Sequence, residues 1–158
     1  MHVDTEAIAA LKADPAAASI RRSLEFYYGD AAQDAAMDAL YARFVRPGDL
    51  VFDIGAHVGD RVGSFRRLGA RVVAVEPQPL CVRAVREIYA GDTDVVVVEA
   101  VCGARQETVP FYVNSTNPTV STASPDFVRA ADGARGWQGQ VWDAQVEVPA
   151  VTLDALVE

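Results

Sequence analysis

The chain has 158 residues, of which 51% are hydrophobic, and its formal net charge is −8 at pH 7. This length and composition fit one domain with a hydrophobic core and exclude a disordered chain. The acidic balance argues against a protein that follows a nucleic-acid backbone. No apolar run approaches the roughly 20 residues that span a bilayer, so neither nucleic acid nor membrane is an expected partner.

The beginning of the chain is predicted to be helical over residues 4–45, where alanine, leucine and charged residues dominate. Asp14, directly before Pro15, and Asp30 have side chains that cap helix N-termini. The aromatic residues 26–28 leave two interpretations open, packing in the core or a lid over a ligand pocket. The first residues lack a basic stretch followed by an apolar one, so no signal peptide is predicted.

A strand, a glycine turn and a helix are predicted next. Residues 50–52 form an apolar run that Asp53 ends, Gly55 and Gly59 follow, and residues 60–68 have helical periodicity. This order is typical of the nucleotide site in an open α/β sheet. Gly55 allows a sharp turn and a close approach of the backbone to a ligand. Asp53 is placed at the carboxyl end of the strand, where such sheets bind ligands.

The spacing of the glycines favours one nucleotide. A dinucleotide fingerprint, G-x-G-x-x-G, would have glycine where His57 and Asp60 stand. The sequence instead reads D-x-G-x-x-x-G from Asp53 to Gly59. An acid here would repel a pyrophosphate but suits a ligand with a cationic ammonium and a sulfonium. The pattern resembles the first motif of class I S-adenosylmethionine (SAM) methyltransferases, so SAM is the predicted cofactor and an NAD-dependent oxidoreductase is the alternative.

Two more strands are predicted, and each is followed by an acid. Arg71–Val75 precedes Glu76, and residues 94–98 precede Glu99. Glu76 is expected to accept hydrogen bonds from ribose hydroxyls, which both SAM and NAD possess. The β-branched run at 94–98 is expected to be buried on both faces of a parallel sheet.

The rest of the chain is predicted to contain two strands, at residues 108–113 and 146–151, and a short helix at 126–131. Pro110 indicates an edge position for the first of these strands. Trp137 and Trp142 leave two interpretations open, contact with a substrate or packing in a small core.

The two cysteines, Cys81 and Cys102, belong to no C-x-x-C pair. Neither a redox motif nor a metal site is therefore predicted. Free thiols are typical of a cytoplasmic protein, which is the expected location.

Several stretches together resemble the FkbM family of SAM-dependent methyltransferases, over roughly residues 41–158. They are PGDLVFDIGAHVGD, VVAVEPQP, VVVVEAVCG, NPTVSTAS and VPAVTLDALVE. The resemblance implies an α/β, Rossmann-like class I methyltransferase sheet with strands in the order 3-2-1, flanking helices and extra β strands. It implies a helical segment at residues 1–45 and a SAM-binding domain at 46–158, within a single domain overall. The implied reaction is O-methylation of a small molecule or sugar.

The resemblance also implies which residues contact the cofactor. The methionine end of SAM would be lined by Asp53, Gly55, Ala56 and Gly59, and Glu76 would hold the ribose. Further cofactor contacts are expected at His57, Pro77 and Glu99. His57 is in addition the candidate general base, because its ordinary pKa suits proton transfer.

Members of that family continue past the VPAVTLDALVE stretch, whereas this sequence ends at Glu158. The resemblance therefore implies that the 4-5-7-6 side of the sheet, with much of the acceptor site, is absent. The Leu50–Ile54 strand would then have an open edge, so self-association through it is expected. A non-catalytic SAM-binding domain that needs a partner chain is the alternative to an enzyme.

Overall fold

The computed structural model describes residues 3–157. The chain forms two compact units, which divide after Glu99. The predicted boundary between residues 45 and 46 stays a prediction.

The first unit begins with helices, as predicted. They are α1 (Thr5–Ala13), a 3₁₀ helix (Pro15–Ile20), α2 (Arg21–Tyr27) and α3 (Ala31–Tyr41). Aspartates cap α1, the 3₁₀ helix and α3, because their side chains accept hydrogen bonds from free N–H groups of the first turn. Asp14 accepts from the amide of Ala16 at 2.8 Å, and Asp30 accepts from those of Ala32 and Gln33.

A parallel sheet follows, in the order β1-β2-β3. Its elements are β1 (Leu50–Ile54), α4 (Asp60–Arg67), β2 (Arg71–Val75), α5 (Pro79–Ile88) and β3 (Val95–Val98). Val51 pairs with Val72, and Val72 pairs with Val95. This confirms the predicted 3-2-1 strand order and the Rossmann-like class. The apolar run at residues 50–52 continues through Asp53 to Ile54, so Asp53 lies near the carboxyl end of β1, as predicted.

Helices cover one face of this sheet in the first unit. Alternate side chains share a core with α4 and α5, and these are Val51, Val72, Ala74, Val95 and Val97. Both helices lie on the same face because each parallel crossover is right-handed. On the opposite face Val96 is 54% exposed. The prediction that the third strand is buried on both faces is therefore wrong.

The N-terminal helices complete the same hydrophobic core. Leu11, Ile20 and Leu24 are fully buried with Val62 and Ile88. α1 packs against α5, and α3 packs against α4. The N-terminal helices therefore pack on the helices that flank the glycine turn.

The second unit contains a small mixed sheet in the order β4-β6-β5. Its elements are β4 (Val101–Cys102), β5 (Glu107–Val113), a 3₁₀ helix (Pro118–Val120), α6 (Pro125–Ala131), β6 (Ala144–Val151) and α7 (Leu153–Val157). β6 runs parallel to β4 and antiparallel to β5. β5 is an edge strand among the described residues, as Pro110 predicted.

The two tryptophans of this unit pack together. The rings of Trp137 and Trp142 stack at 6.4 Å, and Phe127 contacts both edge-on. The indole N–H of Trp142 donates to the carbonyl of Val120 at 3.0 Å. These contacts match the packing interpretation. Within the described part of the chain, no helix combines the length and apolar character that a membrane crossing requires.

Candidate functional site

The candidate site is built around the glycine loop, residues 55–59, which joins β1 to α4. Three of its residues have positive φ: Gly55 at 78°, His57 at 49° and Gly59 at 86°. The amides of Gly55 and Ala56 donate to the carbonyl of Val75, at 2.8 and 3.1 Å. The loop therefore bends sharply over the end of β2, which glycine permits and other residues resist.

The two loop glycines have different surroundings. A Cβ added at Gly55 would meet nothing within 4 Å. A Cβ at Gly59 would lie 3.1 Å from both Tyr89 and Val85. A ligand can therefore approach the backbone at Gly55, whereas Gly59 is required for packing beneath the loop.

Asp53 is buried beside the loop and has an unsatisfied oxygen. It is 7% exposed, and its Oδ2 has no hydrogen-bond partner among the described residues. Burial raises its pKa to about 6, against an opposing effect of Arg61 and with added repulsion from Asp60 and Glu76. A buried carboxylate without a partner is unfavourable, so a cationic ligand would stabilise it.

Asp60 is a second buried acid, at the other end of the loop. It is the first residue of α4 and is 4% exposed, and its Oδ1 also lacks a partner in the described structure. Burial raises its pKa, although Arg61 opposes this from 3.8 Å. The loop therefore lies between two buried carboxyls, each with a free acceptor oxygen.

Glu76 follows β2 and connects the glycine loop to the next segment. Its Oε2 accepts a hydrogen bond from the amide of His57 at 2.9 Å, and its Oε1 accepts from the amide of Gln78 at 2.9 Å. Burial raises its pKa, and these hydrogen bonds oppose the rise. Oε1 also accepts from Gln78 Nε2 at 3.2 Å, so Oε2 is the oxygen with a further lone pair for a ribose hydroxyl. The predicted ribose contact stays a prediction.

His57 is buried, and both ring nitrogens contact neighbouring side chains. Nε2 lies 2.8 Å from Ser23 Oγ, and Nδ1 lies 3.3 Å from Cys81 Sγ. Burial lowers its pKa to about 4, so the ring is neutral at pH 7. Its role as a general base stays a prediction, because a proton acceptor needs a ring nitrogen that reaches the substrate.

The remaining predicted contacts have contrasting surroundings. Ala56 and Pro77 are buried with the loop. Glu99 is exposed beyond β3, where Arg86 lies 3.3 Å away. The structure therefore brings Asp53, the glycine loop and Glu76 together, and the cofactor roles of all the predicted site residues stay predictions.

Sequence reasoning missed two tyrosines that hold the loop. Tyr28 donates a hydrogen bond to the carbonyl of Val58 at 2.8 Å, and Tyr89 donates to that of Gly59 at 2.7 Å. Each partner is separated by 30 residues in sequence. No local pattern reveals such pairs, and the only sequence signal was the aromatic cluster that includes Tyr28.

Comparison with known proteins supplies the family. The profile of the Methyltransferase FkbM domain matches residues 53–158, more than half of the chain. No curated protein matches. The match begins at Asp53 and includes the glycine loop and Glu76. Together with the helix-flanked parallel sheet, this match shows that the chain belongs to the family of FkbM methyltransferase domains.

Proposed function

We propose that this chain uses SAM to methylate an oxygen atom of a small molecule or sugar. The family supports methyltransferase activity in general. The observation that supports SAM is the pair of buried acids, Asp53 and Asp60, with unpartnered oxygens beside the glycine loop. The acceptor class is supported by the resemblance to FkbM enzymes.

The residues present fit SAM better than a dinucleotide. With a pKa of about 6, Asp53 is mostly ionised at neutral pH. An ammonium group would pair with this charge, whereas a pyrophosphate would be repelled by it. The open space at Gly55 admits a ligand against the backbone.

SAM supplies a methyl group already activated by the sulfonium, so the protein mainly orients and desolvates the reactants. Asp53 would hold the ammonium group, and Glu76 would accept hydrogen bonds from the ribose. The backbone at Gly55 would lie against the ligand.

Calorimetric titration with SAM, S-adenosylhomocysteine and NAD tests the proposal. We expect SAM affinity on the order of micromolar, weakened at least tenfold by Asp53→Asn because a buried charge pair is lost. Asp126→Asn is the matched control, since its side chain is 83% exposed in the second unit. Binding of NAD but not SAM by the folded wild type would support the oxidoreductase alternative. Binding of none of the three would overturn the cofactor assignment.

Incubation with methyl-labelled SAM and a panel of sugars and hydroxylated small molecules tests the transfer step. Label found on an acceptor hydroxyl would support O-methylation. Binding of SAM without transfer to any acceptor would favour the non-catalytic domain.

We also propose a cytoplasmic location, supported by the free thiols of Cys81 and Cys102. Fractionation of cells that express the chain tests this location.

A further inference from the structure

We propose that Ser23, Tyr28 and Tyr89 are positioning residues that hold the glycine loop in the conformation that binds SAM. Ser23 lies on α2 and Tyr28 directly follows it, so both precede the part of the chain that the family profile matches. The N-terminal helical segment would then be part of the cofactor site. This inference rests on the proposed use of SAM.

The loop conformation requires external support. His57 has a φ of 49°, which is unfavourable for a residue with a side chain. Its amide donates to Glu76, and its ring contacts Ser23 Oγ at 2.8 Å. Such a conformation persists only where the surrounding structure enforces it. Ser23 therefore supports the one strained residue of the loop through its side chain.

The tyrosines support the next two residues through the backbone. Tyr28 donates to the carbonyl of Val58, and Tyr89 donates to that of Gly59. Their hydroxyl oxygens lie 3.3 Å apart, so the two side chains form one polar contact beneath the loop. Burial raises the pKa of both hydroxyls, which keeps them protonated as donors. Hydrogen bonds to consecutive carbonyls restrict rotation of the peptide between them.

Two glycines leave room for this pair. A Cβ at Gly63 would lie 2.9 Å from the Tyr89 hydroxyl. A Cβ at Gly59 would lie 3.1 Å from the Tyr89 ring and 3.5 Å from the Tyr28 hydroxyl. The absence of side chains at both positions allows the tyrosines to reach the loop carbonyls. The packing thus supports the hydrogen-bond geometry independently.

Two single substitutions in the full chain test the inference. Tyr28→Phe and Ser23→Ala each remove one hydroxyl while keeping the shape of the remaining side chain. We expect Tyr28→Phe to weaken SAM binding about five- to tenfold and Ser23→Ala about threefold. The reason is that a smaller fraction of the molecules then has the loop in the conformation that binds SAM. Hydrogen exchange of the loop amides should become faster in both variants. Ser23→Thr, which keeps the hydroxyl, should restore affinity.

Two controls separate positioning from general stability. Tyr112→Phe removes a tyrosine hydroxyl from β5, in the second unit, that makes no hydrogen bond to the loop in the described structure, so it should leave SAM affinity unchanged. Leu11→Ala removes a fully buried side chain of α1 and should lower the melting temperature. Leu11→Ala and Tyr28→Phe are compared at an equal loss of melting temperature. If Leu11→Ala then weakens SAM binding as much as Tyr28→Phe does, the positioning role of Tyr28 is overturned.

The exchange measurement keeps the inference separate from the proposed function. A folded wild type that does not bind SAM would overturn the proposed function. Unchanged loop exchange in Tyr28→Phe and Ser23→Ala would overturn the positioning role, whether or not SAM binds. Faster loop exchange with wild-type SAM affinity would also overturn it, because the loop conformation would then not matter for binding.

Discussion

Gly55 and Gly59 have similar positive φ angles but different surroundings, and this difference gives a matched comparison. Gly55→Ala places an alanine in the left-handed backbone conformation and adds no close contact. We therefore expect a loss of about 1 kcal/mol in the free energy of unfolding. Gly59→Ala adds contacts at 3.1 Å with Tyr89 and Val85, so we expect a loss of about 3 kcal/mol. Urea denaturation of both variants measures the two losses. Equal losses would contradict the packing role of Gly59.

The raised pKa of Asp53 makes a prediction about stability and pH. Its pKa is about 6 in the folded protein, above its ordinary value of 3.8. The folded state therefore binds the proton more tightly, and the resulting stabilisation is present below pH 4 and lost as the pH rises through 6. Relative to Asp53→Asn, the wild type should lose about 2 to 3 kcal/mol between pH 4 and pH 7.

Denaturant unfolding of both proteins across this range measures that difference. The comparison with Asp53→Asn is necessary because other buried groups titrate as well. Burial lowers the pKa of His57 to about 4, so its stabilisation is lost as the pH falls from 6.5 towards 4, which is the opposite direction. Burial raises the pKa values of Asp60 and Glu76, in the same direction as Asp53. If the free energies of unfolding of the wild type and Asp53→Asn differed by the same amount at every pH, the pH dependence could not be assigned to Asp53.

At the scale of elements, α4 packs against Tyr89, which directly follows α5, and the contact is made at Gly63 of α4. Alanine is favoured over glycine inside a helix by about 1 kcal/mol. In the wild type the added Cβ would lie 2.9 Å from the Tyr89 hydroxyl, so we expect Gly63→Ala to destabilise. In a Tyr89→Phe background that hydroxyl is gone, so the same change should stabilise by about 0.5 kcal/mol or more.

A double-mutant cycle by thermal or urea denaturation measures this reversal of sign. The free energies of unfolding are compared for the wild type, both single variants and the double variant. An equal effect of Gly63→Ala in both backgrounds would show that the tyrosine hydroxyl does not determine the choice of glycine. Arg67 lies 3.3 Å from the same Cβ position, but its long side chain can move.

The elements themselves are largely predictable from the sequence. Apolar runs ending in Asp53 and Glu76 indicate parallel strands, and the glycine spacing indicates the turn between β1 and α4. The aspartate caps follow from local hydrogen bonding. The burial of β3 is not predictable in this way, because an apolar strand has the same sequence whether one face or two are covered.

At the scale of the whole molecule, β1 is an edge strand among the described residues. Leu50 and Ile54 are 42% and 46% exposed. An apolar edge with unpaired backbone groups favours pairing with another strand. We propose that a second copy of the chain pairs there, since two identical edges offer each other the same backbone donors and acceptors.

Light scattering over a range of protein concentrations measures this association. The wild-type mass should rise with concentration, and Leu50→Lys should remain monomeric because a charged edge opposes pairing. Val96→Lys is the matched control, since Val96 is also exposed but lies on β3 at the other edge of this sheet. A wild type that is monomeric at every concentration would contradict the proposal. The proposal would also be contradicted if Leu50→Lys and Val96→Lys lowered the mass by the same amount.

Local spacing and chemistry thus specified the helices, the strands and the glycine loop with its acid, because each depends on residues close together in the chain, whereas the strand order followed from the family resemblance. The pairing of Ser23 with His57, of Tyr28 with Val58 and the burial of Asp53 emerged only from the fold. The two hydrogen bonds join segments 30 or more residues apart. The burial of Asp53 depends on which face of the sheet the helices cover. Neither the hydrogen bonds nor this burial leaves a local pattern in the sequence.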